Sequence, residues 1–332
     1  MASELTYEAI EEAAKRLHGL GFVHETPVFQ CHALDKMAGG CGRRLFFKAE
    51  NLQKTGSFKA RGASNAVLLA MGDNPDLKGV VTHSSGNHGQ AVAYAAGKAG
   101  ISCAVVIPEG TPSNKAKAIQ SYGAELYFCE ASPAARKSTC ASIARERGFE
   151  VIHPCDDHRV MAGQGTIATE FLRQVPDLDA IVVPISGGGM SSGICVAARH
   201  LRPECKVFLV EPQGKELGKS LKAKVRLWEG ENRFLDTAAE SIRSMQVGDL
   251  TFPILCELAE SDVFTVSDQD MIEGVKLVMS RMKLVVELAS GAAVAAALSE
   301  QMKNISGPNN PSISKIGVIL CGGNIDINHL PW

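Results

Sequence analysis

The 332-residue chain has no large excess of charge of either sign: 34 Lys and Arg stand against 36 Asp and Glu, for a formal net charge of −2. Its basic residues are scattered instead of gathered into an arm, which removes the electrostatic case for nucleic acid or an anionic membrane as partner. Long apolar runs are also missing. The most apolar stretch, "SGAAVAAALS" from Ser290 to Ser299, is far too short to cross a bilayer. The opening "MASELTYEAIEEAAKRL" is an acidic, amphipathic helix start without the apolar core of a signal peptide, so a cytoplasmic protein is expected. None of the ten cysteines forms a C-x-x-C pair or a Cys/His cluster at zinc spacing, so small buried thiols are expected. No internal repeat, low-complexity linker or G-x-x-x-x-G-K-[ST] phosphate loop occurs.

What is present is alternation. "GVVTHS", "SCAVVIP", "AELYFCE", "EVIHP", "AIVVPIS", "KVFLVEP", "DVFTVS" and "KIGVILCGG" are short β-branched runs, most of them separated by segments of helical periodicity. Strands that are apolar throughout and joined by helices predict parallel sheets covered on both faces. The expected fold class is α/β, with two open, twisted, mostly parallel-sheet domains. Residues 79–156 are read as a small domain inserted into a large one made of residues 1–78 and 157–332. Ligands of such sheets bind beyond the carboxyl ends of the strands.

Three of those strand ends and one helix start carry unusual residues. "SGGGMSSG", Ser186–Gly193, puts three successive glycines between a strand and a helix, where converging N–H groups and the helix terminus cradle a phosphate. A tight turn alone would need only one glycine. "SSGNHGQA", Ser84–Ala91, opens another helix with hydroxyls, an amide and an imidazole. It reads either as ordinary Ser/Asn capping or as a carboxylate-binding helix end. "VILCGGNID" closes the last strand with Cys321. In "KTGSFKARGA", Lys59 stands at a helix start, where the dipole disfavours a cation. It either snorkels into water or is held as a free amine that acts as a nucleophile. A dinucleotide reading of Gly187-x-Gly189 with Glu211 at the next strand end misplaces the third glycine and gives Lys59 no role.

A reactive lysine, a phosphate cup and a carboxylate-binding helix end are jointly explained by pyridoxal phosphate and an amino acid. "KTGSFKARGA", "SSGNHGQA", "AGQGT", "SGGGM" and "CGGN" resemble, in order and spacing, the motif set of the fold-type II pyridoxal-phosphate enzymes (the tryptophan synthase β-like fold). Within that group the chain is similar to the serine racemase and serine/threonine dehydratase family over residues 20–327. The resemblance implies that Lys59 binds the cofactor covalently and Phe58 packs beside its ring. It also implies that Asn87 bonds the ring hydroxyl, that Gly187, Gly188, Gly189 and Met190 hold the phosphate, and that Cys321 faces the pyridine nitrogen. Ser85, Asn87 and His88 would bind the substrate carboxylate, and Arg136 would close over it. In the family's racemases the serine before G-N-H is the second acid/base, opposite the lysine; that position is Ser85. Lys54, Thr55, Gln90, Tyr122 and Asn324 match the ATP site of animal serine racemases.

The chain also departs from the pattern. At the family's Mg²⁺ or Ca²⁺ site Glu211 matches the first ligand and Lys215 offers only its backbone carbonyl, while Leu217 replaces a carboxylate. Either the site is weakened or Glu216 rebuilds it. Glu240-Ser241 and Leu288 also differ from the family near the substrate. Cys155-Asp156-Asp157, where aspartate-preferring relatives carry serines, is expected to repel a second substrate carboxylate. The expected function is racemisation of serine with accompanying β-elimination of serine or threonine, in a homodimer acting on a small amino acid. The alternatives are a pure L-serine/L-threonine ammonia-lyase, and an aspartate racemase or 3-hydroxyaspartate dehydratase. More remote are a nicotinamide-dependent oxidoreductase and a non-catalytic nucleotide-binding protein.

Overall fold

The computed structural model describes residues 4–40, 42–305, 313–328, 330 and 332; Cys41 lies outside the described residues. Ten strands form two sheets: β1 Val28–Gln30, β2 Arg44–Lys48, β3 Gly79–His83, β4 Ser102–Pro108, β5 Glu125–Cys129, β6 Glu150–Val151, β7 Ala180–Pro184, β8 Lys206–Pro212, β9 Phe264–Val266 and β10 Lys315–Ile319. The larger sheet has the order β1-β2-β10-β7-β8-β9 and the smaller β5-β4-β3-β6. All pairings are parallel except β1 with β2. The mixed α/β class with parallel-dominated sheets expected from the alternation is what forms.

Apolar β-branched runs make the central strands because both faces of a parallel sheet are covered by helices. β7, Ala180–Pro184, is buried along its whole length. The first two strands carry no such signal. β2 reads "RLFFK", and its Lys48 is fully buried because it pairs with Glu170 at 2.8 Å.

The helix Lys59–Asp73 lies between the two sheets. Ala63, Ala66 and Val67 join the core of the smaller sheet, whereas Arg61 is tied to elements of the larger one. Arg61, fully buried, donates to Glu50 at 2.8 Å and to Glu170 at 2.7 Å. Desolvation of such charges offsets most of their attraction, so the network fixes the position of this helix more than it adds stability. The "AGQGT" segment seats the same helix. Gln164 Oε1 accepts from the Gly62 N–H at 3.1 Å, and a Cβ at Gly163 would lie 2.6 Å from the Gly62 Cα. Backbone therefore meets backbone beneath the residue that opens the helix, Lys59.

Candidate active site

Lys59 is the first residue of its helix, and the N-cap Phe58 supplies no side-chain hydrogen bond. Its Nζ donates to the Pro154 carbonyl at 2.6 Å and lies 5.0 Å from the centre of the Phe58 ring. Burial lowers the ammonium below its ordinary value, with Cys155, Cys321 and Glu287 opposing. An amine held by a carbonyl instead of a carboxylate sheds its proton readily and is available as nucleophile and base. The snorkelling alternative does not describe this residue.

The loop after β7 leads into the helix Gly189–Leu201. Its N-cap, Gly188, has φ +95° and offers no side-chain bond, so the first N–H groups of the helix have no cap. A Cβ at Gly187 would lie 2.2 Å from Cys155 Sγ, so only glycine lets that backbone approach. The hydroxyls of Ser191 and Ser192 are buried without a partner. Met190 is packed into the larger core. Behind the loop, the Gly248 N–H at 3.0 Å and Thr251 Oγ1 at 2.8 Å both donate to the Gly187 carbonyl.

The second helix end is also uncapped: Asn87–Ala99 has Gly86 as N-cap with no side-chain bond, so Ser/Asn capping is not the use of this segment. Asn87 is clamped from both sides. Its Nδ2 donates to Glu287 Oε2 at 2.8 Å, and its Oδ1 accepts from Asn324 Nδ2 at 2.8 Å. Glu287 Oε1 in turn accepts from Ser241 Oγ at 2.6 Å, and burial raises the Glu287 carboxyl. His88 Nε2 lies 3.2 Å from the Ile152 carbonyl, and its Nδ1 is buried without a partner. Ser85 sits half-buried in the loop between β3 and this helix. Arg136 is buried, stacked 5.2 Å from the Phe234 ring centre, with Nε unpartnered. Cys321 is buried at the end of β10, where burial pushes its thiol far up; its Sγ lies 3.6 Å from Ser290 Oγ.

These residues fit pyridoxal phosphate. The uncapped helix start and the two orphan hydroxyls suit a phosphate, the Lys59 amine, its ammonium disfavoured by burial, suits an aldehyde, and the neutral Cys321 suits an unprotonated pyridine nitrogen. The Phe58 N–H bonds the Cys321 carbonyl at 3.0 Å, which joins the lysine helix directly to the end of β10. Sequence reasoning gave no role to Glu287, Ser290 or the Pro154 carbonyl. A carbonyl leaves no side-chain signature, and Glu287 meets Asn87 across 200 positions of chain.

Two expectations from the departures change. Asp156 accepts the N–H groups of Asp249 (3.1 Å), Leu250 (2.9 Å) and Thr251 (3.3 Å), at the start of the Thr251–Leu258 helix. Asp157 caps the His158–Gln174 helix and pairs with Arg159 at 2.8 Å. Both carboxylates are engaged by helix-start N–H groups, and Asp157 also by Arg159, which weakens the predicted repulsion of a second carboxylate. At the metal position, Glu211 Oε2 accepts from the Leu217 N–H at 2.7 Å and Oε1 from Thr265 Oγ1 at 3.2 Å. The Lys215 carbonyl accepts from Trp228 Nε1 at 2.6 Å, while Glu216 faces solvent paired with Lys219. Burial lowers the Lys215 ammonium to about 8, with Glu211 opposing. Among the described residues no group of three or more His, Cys, Asp or Glu could hold a metal ion. The residues present therefore do not fit Mg²⁺ or Ca²⁺.

Of the nucleotide candidates, Asn324 donates to the Thr55 carbonyl at 2.8 Å as well as to Asn87. The helix carrying Gln90 packs on the Lys54–Gly56 turn, and Tyr122 meets Tyr94 edge-on at 6.0 Å.

Three histidines beside the site have their charged forms disfavoured. Burial is the first cause for each: His83 is lowered to about 4, His88 falls well below its ordinary value, and His153 is lowered. In the unfolded chain they protonate near 6.5. Unfolding therefore takes up protons between about pH 6.5 and 4, and the stability they contribute is whole above that window and lost as pH falls through it. The urea midpoint is expected to fall from pH 7 to pH 5. Glu170, lowered to about 2, loses its contribution only below the ordinary glutamate range and does not mask the effect. The raised carboxyls of Glu211 and Glu287 act in the opposite sense as pH falls, so the histidine contribution is read as a difference: a His83→Asn protein whose midpoint falls as much as the original's would contradict the neutral-histidine arrangement.

A family model described as "Pyridoxal-phosphate dependent enzyme" matches residues 20–322. Serine racemase of Dictyostelium discoideum is 40% identical over 327 residues, covering 98% of this chain and 97% of that protein. Serine racemase of Homo sapiens is 42% identical over 314 residues, covering 93% and 89% respectively. Among solved structures, a pyridoxal 5'-phosphate-dependent aspartate racemase superposes with a TM-score of 0.95 at 50% identity, covering 100% of this chain and 99% of that one.

Proposed function

The chain belongs to the pyridoxal-phosphate-dependent enzyme family, and on that premise we propose that it racemises serine, with accompanying β-elimination of serine or threonine to the 2-oxo acid and ammonia. One observation carries this reading. A half-buried amine, Lys59, opens its helix beside two uncapped helix N-termini and a neutral thiol, at the ends of strands from both sheets.

Pyridoxal phosphate, when bound, supplies an aldehyde for the substrate amine and a conjugated ring that accepts charge developing at Cα. The protein residues do the rest. The Gly187–Met190 loop would hold the phosphate and Phe58 would flank the ring. Asn87, fixed by Glu287 and Asn324, reaches the ring hydroxyl. The helix end at Ser85–His88 holds the α-carboxylate, and the buried Arg136 closes over it. Lys59 takes or returns the Cα proton on one face, and Ser85 does so on the other. A neutral Cys321 would offer the pyridine nitrogen no charged partner, which would favour return of the proton to Cα or loss of a β-substituent over amine transfer.

A second reading, aspartate as substrate, is favoured by the satisfied charges of Asp156 and Asp157, by the unpartnered Nε of Arg136, and by the 50% identity to an aspartate racemase. Chiral analysis after incubating the holoenzyme with each L-amino acid separates the two. D-serine with some pyruvate from L-serine supports the first reading; D-aspartate without D-serine transfers the assignment to the second. If neither amino acid is turned over, both fail.

The proposal extends to a cytoplasmic homodimer activated by ATP. No helix among the described residues is long and apolar enough to cross a membrane, and nine described cysteines are free thiols, in keeping with a reducing compartment. The link from Thr55 through Asn324 to Asn87 gives a nucleotide at Lys54, Thr55, Gln90 and Tyr122 a route to the cofactor's partner.

A further inference from the structure

The turn after β8 lacks the oxygens of a cation site but contains a cation. Lys215 is 0% exposed, and its Nζ donates to the carbonyls of Ser244 at 2.5 Å and Met245 at 3.3 Å. Glu211, four residues back on β8, is the acid that acts on it most strongly. Leu217, also 0% exposed, fills with apolar surface the place where the family pattern has a carboxylate. The exchange is coherent in charge: on one turn a carboxylate is lost and an ammonium gained, both within reach of the field of Glu211.

The segment that Lys215 grips leads straight to the phosphate loop. Three residues after Met245, the Gly248 N–H bonds the Gly187 carbonyl at 3.0 Å, and Thr251 Oγ1 bonds the same oxygen at 2.8 Å. On the near side of that segment, Ser241 holds Glu287, which holds Asn87. A cation at this position therefore joins three parts of the molecule: the β8 turn, the 241–251 strap, and through the strap both ends of the cofactor site. Two carbonyl oxygens and a nearby carboxylate are also what a hard divalent cation would recruit.

We propose that the Lys215 side chain is a built-in cation, doing for this enzyme what a bound divalent ion would do, so that the ordering of the 241–251 strap and the Gly187–Gly189 loop is independent of metal. Lys215 is a positioning residue: it acts on the cofactor site through the strap and touches no reacting atom. The inference rests on family membership and not on serine as substrate. Its readouts are cofactor binding and unfolding, which a wrong substrate assignment would leave untouched.

The test uses holoenzyme dialysed against EDTA and then supplied with millimolar Mg²⁺ or Ca²⁺. For the unmodified protein, the dissociation constant of pyridoxal phosphate and the thermal midpoint are expected to be the same in all three conditions. Lys215→Met keeps the length of the side chain and removes its charge; it should weaken cofactor binding on the order of 10-fold. In Lys215→Ala combined with Leu217→Asp, a second carboxylate faces Glu211 and the ammonium is gone. Ca²⁺ should now raise the midpoint by several degrees and tighten cofactor binding, a response that loss of packing alone cannot produce. The proposal is overturned by any of three results: an unmodified protein that loses midpoint or affinity in EDTA and regains it with Ca²⁺, a Lys215→Met protein that binds cofactor as tightly as the original, or a double variant indifferent to Ca²⁺. Should Lys215→Met not fold, the EDTA series and the double variant still decide.

Discussion

Lys59→Ala is expected to abolish both serine racemisation and elimination, and to leave the protein unable to form a covalent bond with pyridoxal phosphate. The position combines an amine whose charged form is disfavoured by burial with a place at the start of its helix, against the Phe58 ring and the Pro154 carbonyl. Lys215 shares the carbonyl partners, but it stands on the turn after β8, where its Nζ is directed to the Ser244 and Met245 carbonyls of the strap. Loss of one positioned acid/base costs about 10²–10⁴-fold, and loss of the covalent anchor compounds it. Borohydride reduction followed by peptide mass analysis reads the anchor directly. In the unmodified protein the reduced cofactor should appear on the peptide containing Lys59. Non-covalent cofactor binding should survive in Lys59→Ala, because the Gly187–Met190 loop is intact. If the variant keeps turning over serine with cofactor added, or if the label falls on another lysine, the assignment of Lys59 is wrong.

The part of the site that was legible in the sequence is the part made by chain-local chemistry. Three glycines after a β-branched run specify a phosphate-sized turn, and a lysine at a helix start asks for a reason; both needs are visible within ten residues. The strands from β3 onward were legible for the same reason, since buried parallel strands must be apolar throughout. β2 was not, because Arg44 and Lys48 bracket it, and the burial of Lys48 depends on Glu170 more than a hundred residues away. The acids after Cys155 show how a local reading of charge goes astray. In sequence, Asp156-Asp157 is a negative patch beside the substrate residues. In space, each carboxylate accepts N–H groups at the start of a different helix. Asp157 was recoverable, since an aspartate directly before a helical run is an N-cap signal. Asp156 was not, because the helix it caps begins 95 residues later. Glu287 belongs to the same class. Its contacts with Asn87 and Ser241 exist only once two sheets and a strap have come together.

Ser85→Ala should separate the two activities that Lys59→Ala removes together. If Ser85 moves the proton on the face of Cα opposite Lys59, the variant retains one working base. Lys59 can still remove the proton from one enantiomer, and loss of the β-hydroxyl that follows needs no group on the far face. Racemisation needs both faces. It should therefore fall by about 10²–10⁴-fold, while pyruvate formation from L-serine falls much less. The opposing reading is that Ser85 only binds the carboxylate, at the uncapped helix end it shares with His88. That contact is the same in the bound substrate and in the transition state of either reaction. Its removal would raise KM for both activities and leave their ratio unchanged. The measurement is D-serine and pyruvate formed from L-serine by one preparation of the variant, normalised to bound cofactor. Normalisation excludes a trivial loss, because Ser85 lies on the smaller-sheet side of the site and makes no part of the Gly187–Met190 loop. A ratio equal to that of the unmodified protein would remove Ser85 from the acid/base role and leave the second face to a water or to another side chain of the Ser84–His88 segment.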